Sequence, residues 1–221
     1  MSAASEDEVL ILVPTPLELN LLQTHFPSQP GVAFAPCGFG PTGAANTTQY
    51  LIQRHQPKRI ILAGIAGALS EDLQLGRCYT YESVLMDGIG VHADHAVISP
   101  EELGFSQCYH FTPPYEPQVP GQLPLQPCDQ LTHATALLTV CAASGTPSMA
   151  SERRNTYPQA TTEDMEGYGV ALACALAQVP LTILRGISNQ AGVRDKQQWM
   201  IQEAMESVGN ALLNWHAAEW H

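Results

Sequence analysis

Val9-Leu10-Ile11-Leu12-Val13 is an unbroken apolar run, stopped at once by Pro14-Thr15-Pro16. A strand with one face in water alternates polar and apolar residues. A strand covered on both faces does not, and such strands belong to sheets sandwiched between helices. The run is far too short for a membrane span, which needs about 20 apolar residues. The amphipathic stretch Leu17 to His25 follows, so the chain opens as strand, turn, helix, the repeating unit of an α/β fold.

The same grammar continues. Val32 to Ala35 reads as a second strand, Gly38-Phe39-Gly40-Pro41-Thr42-Gly43 as a break, Ala44 to His55 as a helix, and Arg59 to Ala63 as a third strand ending in Gly64-Ile65-Ala66-Gly67. Arg77 to Met86 alternates, as an antiparallel strand would. Residues 87–130 lose periodicity, with prolines crowded between Pro113 and Pro127, and read as an irregular surface excursion. Strands return at Leu137 to Ser144, Thr161 to Met165 and Leu181 to Ile187, an Ala-rich helix at Gly167 to Gln178, and one long helix from Asp195 onward. The expectation is a three-layer α/β single domain over 1–221, with a central mixed twisted sheet flanked by helices and a flexible lead at 1–7.

Charge and motif narrow the function. With 21 acidic residues against 9 basic ones and no Lys/Arg cluster, the field is wrong for nucleic acid or an anionic membrane. The acidic start, Met1 to Glu8, does not fit a signal peptide and points to the cytoplasm. The cysteines at 37, 78, 108, 128, 141 and 174 form no CxxC pair and read as free thiols in a reducing compartment. His92-Ala93-Asp94-His95 has metal-like spacing, but no further ligand is in step with it, so surface histidines and no metal are expected. A G-x-S-x-G elbow is missing. Gly38 to Gly43 spells G-x-G-x-x-G, yet the next strand ends Ala63-Gly64-Ile65 without the acid that would hold a dinucleotide ribose. No organic cofactor is expected. The turn either lines a small-ligand cleft or is purely structural.

Two stretches carry chemistry. Thr161-Thr162-Glu163-Asp164-Met165-Glu166-Gly167 sets acids around a methionine at a strand end, and Arg185-Gly186-Ile187-Ser188-Asn189 sets an amide at the end of the next apolar strand. Ligands of α/β sheets sit outside the carboxyl ends of strands, so Glu166 and Asn189 can converge on one small molecule.

The succession of Glu18 after the first strand, Cys37-Gly38-Phe39-Gly40, Leu62-Ala63-Gly64-Ile65-Ala66-Gly67, Asp164-Met165-Glu166 and Ser188-Asn189 resembles the purine nucleoside phosphorylase and nucleosidase superfamily over most of the chain. The stretch Arg185 to Asp195, with Trp199, looks most like the futalosine hydrolases of the alternative menaquinone route. The resemblance implies a nucleoside phosphorylase-like fold and hydrolysis of an N-glycosidic bond, with a small-molecule nucleoside and water as partners. It implies that futalosine is split to hypoxanthine and dehypoxanthinylfutalosine, and that the chain forms a homodimer or larger homo-oligomer.

It also implies roles. Glu18 would orient and deprotonate the attacking water, Glu166 would accept the ribose 2′- and 3′-hydroxyls above Met165, and Asn189 would meet O6 and N7 of the purine. Ala66, Gly67, Asp164 and Ser188 would complete the binding surface. Arg194 would clamp the substrate carboxylate, or else pair with Asp195 or the helix start. Where phosphorylases place an arginine and a serine for phosphate, this chain has Leu62 and Ile65, so water is the expected nucleophile. Plain structural alternatives stand beside these roles: first-turn helix carboxylates for Glu18 and Glu166, and a turn amide for Asn189. Rival functions are a purine nucleoside phosphorylase, a methylthioadenosine or aminofutalosine nucleosidase, and a non-catalytic nucleoside-binding module.

Overall fold

The computed structural model describes residues 8–93, 96–110 and 112–219. The lead at 1–7, expected to be flexible, lies outside them, as do Asp94 and His95 of the histidine-rich run.

The elements follow in order β1 (Val9–Val13), α1 (Pro16–His25), β2 (Val32–Pro36), α2 (Pro41–His55), β3 (Arg59–Ala68), β4 (Cys78–Met86), β5 (Val91–Ala93), β6 (Ala96–Ile98), β7 (Leu123–Pro124), β8 (His133–Thr139), α3 (Pro147–Thr156), β9 (Ala160–Asp164), α4 (Gly167–Ala177), β10 (Leu181–Gln190) and, after a 3-10 turn at Lys196–Gln198, α5 (Ile201–Glu219). Strand β1 shows why its sequence is apolar throughout. Leu10 and Leu12 join one core with Leu51 and Ile52 of α2 and Val170 and Cys174 of α4. Val9, Ile11 and Val13 join the opposite core with Leu22 of α1 and Met205, Val208 and Leu212 of α5. A fully buried aliphatic side chain such as Leu10, Leu12 or Ile11 is worth about 1.5–3 kcal/mol. The three layers are α2 and α4, the sheet, then α1 and α5.

The main sheet runs β10-β4-β8-β9-β3-β1-β2, with β7 on β4, and β10 also pairs with β3, so β3, β10, β4, β8 and β9 close into a ring from which β1 and β2 extend. It is mixed: β3 is parallel to β1 and β10 but antiparallel to β9, and β4 is parallel to β8 but antiparallel to β10. Along one side of β3, pairing with β1 ends at Leu62, and pairing with β9 begins at Gly67. Between them the two neighbours diverge, and the sheet opens at Ala63 to Ala66.

Several expected boundaries shift, for physical reasons. Strands β3 and β10 run on to Ala68 and Gln190, because Gly64 and Gly67 continue the ladder instead of breaking it. The expected strand at Leu137 to Ser144 starts earlier and stops at Thr139. Helix α3 is absent from the sequence-based expectation, although Thr146 caps it by accepting the Met149 N–H and Pro147 starts it. The expected helix from Asp195 is divided, with Asp195 capping the 3-10 turn through the Gln197 N–H. The described residues of 87–130 are mostly irregular, with the antiparallel β5–β6 pair and the short β7 among them.

Candidate active site

The divergence of β1 and β9 along β3 forms a cavity of about 580 Å³. Glu18, Ala66, Gly67, Asp164, Met165, Glu166, Ser188, Asn189 and Arg194 all border it, so every site residue expected from sequence lies at one place. They arrive from α1, β3, the end of β9 and its turn, and the end of β10 with its following loop.

Glu18 sits in the first turn of α1 and is buried. Its Oε2 accepts the Thr15 hydroxyl at 2.6 Å and its Oε1 accepts the Ile65 N–H at 3.0 Å. The carboxylate thus satisfies a strand amide in the gap between β1 and β9. Ile65 lines the cavity beside it, whereas Leu62 is fully buried in the core.

Beneath the floor lies Arg185 of β10, fully buried. Its Nε and Nη2 both donate to Asp164 Oδ2, and Nη2 stands 3.5 Å from Glu166 Oε2. Among the described residues Nη1 has no hydrogen-bond partner. A Cβ at Gly64 would fall 2.4 Å from Nη1 and 2.8 Å from Glu18 Oε1. Glycine therefore leaves one small space shared by a charged donor and a carboxylate acceptor. Arg185 has no role assigned from sequence. Its signal there is a lone charge inside an apolar strand, which must be paired if buried.

Glu166 stands at the start of α4 without a side-chain capping bond to the helix. Its Oε1 accepts the Gly40 N–H at 3.1 Å, so the glycine turn belongs to the site: at φ 84° Gly40 aims its amide at the carboxylate. Burial pushes the Glu166 carboxyl up to about 7. The Arg185 charge opposes that rise and the Asp164 charge adds to it. Asp164, by contrast, turns its oxygens away from the cavity: besides Arg185 they accept the Thr139 hydroxyl at 2.6 Å and the Gly167 N–H at 2.9 Å. It supports the floor and the α4 start. Cys37 is buried nearby, and burial lifts its thiol to about 12, so it keeps its proton and is no nucleophile.

At the far end the Asn189 amide is oriented by two bonds. Its Oδ1 accepts the Ser188 hydroxyl at 2.8 Å and its Nδ2 donates to Gln190 O at 2.9 Å. Each group retains capacity, one N–H and one lone pair, for a ligand. Ala143, Ser144 and Glu163, which carry no role assigned from sequence, wall this end. Phe39, Leu17, Trp199 and Ile201 line the cavity as well, with Leu17 and Phe39 largely exposed. Arg194 stacks its guanidinium 5.3 Å from the Trp199 ring centroid. Asp195 is engaged with Gln197 and Gln198, and among the described residues no ion pair joins it to Arg194.

The arrangement offers a carboxylate beside a donor-lined space, a second carboxylate of raised affinity for protons, and an oriented amide. Among the described residues no group of three His, Cys, Asp or Glu is placed to hold a metal ion, and no helix is long and apolar enough to cross a membrane.

Known proteins share this architecture. The family model described as "Phosphorylase superfamily" matches residues 21–217. A futalosine hydrolase of Streptomyces coelicolor is 28% identical over 181 residues, covering 79% of this chain and 74% of the relative. A futalosine hydrolase of Acidothermus cellulolyticus is 32% identical over 163 residues, 73% of this chain and 65% of the relative. The crystal structure of the 5′-methylthioadenosine/S-adenosylhomocysteine nucleosidase of Helicobacter pylori superposes with a TM-score of 0.74 over 95% of this chain and 97% of that one; at 15% identity the likeness is one of fold.

Proposed function

The chain belongs to the phosphorylase superfamily, and on that premise we propose that it is a nucleosidase that hydrolyses futalosine to hypoxanthine and dehypoxanthinylfutalosine, a step of menaquinone biosynthesis. The observation that carries the reading is that Glu18, Glu166 and Asn189 border one cavity, with apolar Ile65 beside Glu18. A phosphate dianion beside Glu18 would face a like charge and an apolar isoleucine, and the free Arg185 Nη1 opens onto a space too small to hold it, so its lost hydration would not be replaced. Water suits the space between Glu18 Oε1 and Arg185 Nη1.

In the reaction, water adds to the ribose C1′ as the C1′–N9 bond breaks and its electron pair passes into the purine. Glu18 takes the water proton. Glu166, as the carboxylate, accepts the 2′- and 3′-hydroxyls and lies close to the positive charge that develops on the sugar. Asn189 donates to O6 throughout, and its carbonyl becomes a partner for N7 once N7 is protonated. The amide thus binds the transition state better than the ground state. Asn189 has no proton to give, so N7 takes its proton from a second water, and the hydroxide left behind is neutralised by the proton that Glu18 gives up, which restores the carboxylate. The 5′ arm, which ends in a carboxybenzoyl group, lies along Phe39, Leu17 and Trp199, with Arg194 meeting its carboxylate.

The test is chromatography of the purines released from futalosine, aminofutalosine, methylthioadenosine and inosine, each with and without phosphate. Hypoxanthine from futalosine, independent of phosphate, is expected. Release of ribose 1-phosphate, or faster release of adenine than hypoxanthine, overturns the reading.

A further inference from the structure

We propose that Glu163 is a specificity-determining residue that accepts a hydrogen bond from N1–H of a 6-oxopurine. The inference rests on the nucleosidase reading above and adds a second point of recognition beside Asn189.

Glu163 of β9 pairs with Gly67 of β3, and Gly67 pairs on its other side with Asn189 of β10. The two polar side chains therefore flank a glycine, and both border the cavity. A Cβ on Gly67 would lie 3.6 Å from Glu163 Cγ. Neighbouring strands are about 4.8 Å apart, so a flat base over Gly67 lies within reach of both.

The carboxylate is held in place from behind. Its Oε2 accepts the Ser144 hydroxyl at 2.7 Å and Arg153 Nη1 at 2.8 Å. Arg153 is fixed in turn by Asp87 and by Ala142 O. Oε1 accepts one bond, from the Ser144 N–H at 2.8 Å, and keeps a lone pair. Glu163 and Ser144 both line the cavity.

A carboxylate accepts and does not donate. A 6-oxopurine presents N1–H next to O6, a donor beside an acceptor, which matches Glu163 beside the Asn189 amide. A 6-aminopurine presents a bare N1 nitrogen, which a carboxylate repels. One charged hydrogen bond made or refused is worth about 10- to 100-fold in affinity.

Calorimetric titration of the full chain with hypoxanthine, 1-methylhypoxanthine and adenine tests this directly. The methylated base keeps O6 and N7 but lacks the N1 proton. Wild type is expected to bind hypoxanthine at least about 10-fold tighter than either other base. In Glu163→Gln, Arg153 and the Ser144 hydroxyl claim the amide oxygen, the Ser144 N–H bond to Oε1 is lost, and the NH2 group faces N1, so the preference over adenine falls about 10-fold or reverses. Equal binding of hypoxanthine and 1-methylhypoxanthine by wild type overturns the inference. So does a folded Glu163→Gln protein that keeps the full preference. If that variant does not fold, the wild-type titrations decide alone. Hypoxanthine preference without futalosine cleavage would sink the futalosine reading and leave this inference standing; cleavage without N1 discrimination would do the reverse.

Discussion

Arg185 donates from both Nε and Nη2 to a single oxygen of Asp164, at 3.1 and 2.5 Å, and so spends two of its donors on one acceptor. That geometry turns the remaining edge of the guanidinium toward Gly64 and Glu18 and sets Nη2 near Glu166. One buried cation thereby serves three carboxylates that approach from α1, the end of β9 and the turn beyond it.

Removing that cation should be costly. Arg185→Met leaves Asp164 and Glu166 buried without a counter-charge, and breaking a buried pair in this way costs about 3–5 kcal/mol. Thermal melting followed by circular dichroism should fall by about 10 °C. A loss of under about 2 °C would show that the carboxylates are compensated elsewhere.

Activity should have an acidic limb near neutrality. In the proposed reaction Glu166 is ionised and accepts two hydroxyls, and its carboxyl is pushed up to about 7, so kcat/KM should fall about tenfold per pH unit below that point. Stability runs the other way. Because the folded value lies above the ordinary 4.5, protonation of Glu166 contributes stability that is fully present below 4.5 and is lost as pH rises through about 7. A pH profile that stays flat from about 5 to 8 contradicts this assignment. Glu166→Gln should remove this contribution to the pH dependence of melting and abolish turnover.

Gly64→Ala tests the shared space. The new methyl would fall 2.4 Å from Arg185 Nη1 and 2.8 Å from Glu18 Oε1, and overpacking of this kind costs about 1–3 kcal/mol. Displacing Glu18 by a fraction of an ångström should lower kcat about 100-fold with KM little changed. Near-normal kcat would place the water elsewhere.

Much of this is readable from the chain. The apolar runs of β1 and β10 announce strands covered on both faces, and the acids and amide at strand ends announce where a ligand can sit. Residues whose meaning depends on distant partners are harder to read. Gly64 reads locally as a breaker, yet in space it is the position that has to lack a side chain so that Arg185 and Glu18 can face each other. Glu163 looks like one acid among several until Arg153, ten residues earlier, is seen donating to it from α3, a helix whose weak apolar pattern hides it. Gly40 advertises a turn, but its bond to Glu166 spans a sequence separation of 126 that no local signal encodes.

The rim formed by Leu17, 63% exposed, and Phe39, 68% exposed, contrasts with the tightly bonded floor. Substitutions at the rim disturb few partners, whereas nearly every polar atom below is committed to another. Under the proposed placement of the 5′ arm, novel 5′ substituents are accommodated by changing rim side chains alone, while the floor beneath tolerates almost no drift. A scaffold divided in this way can be retuned to new nucleosides without having to reinvent its chemistry.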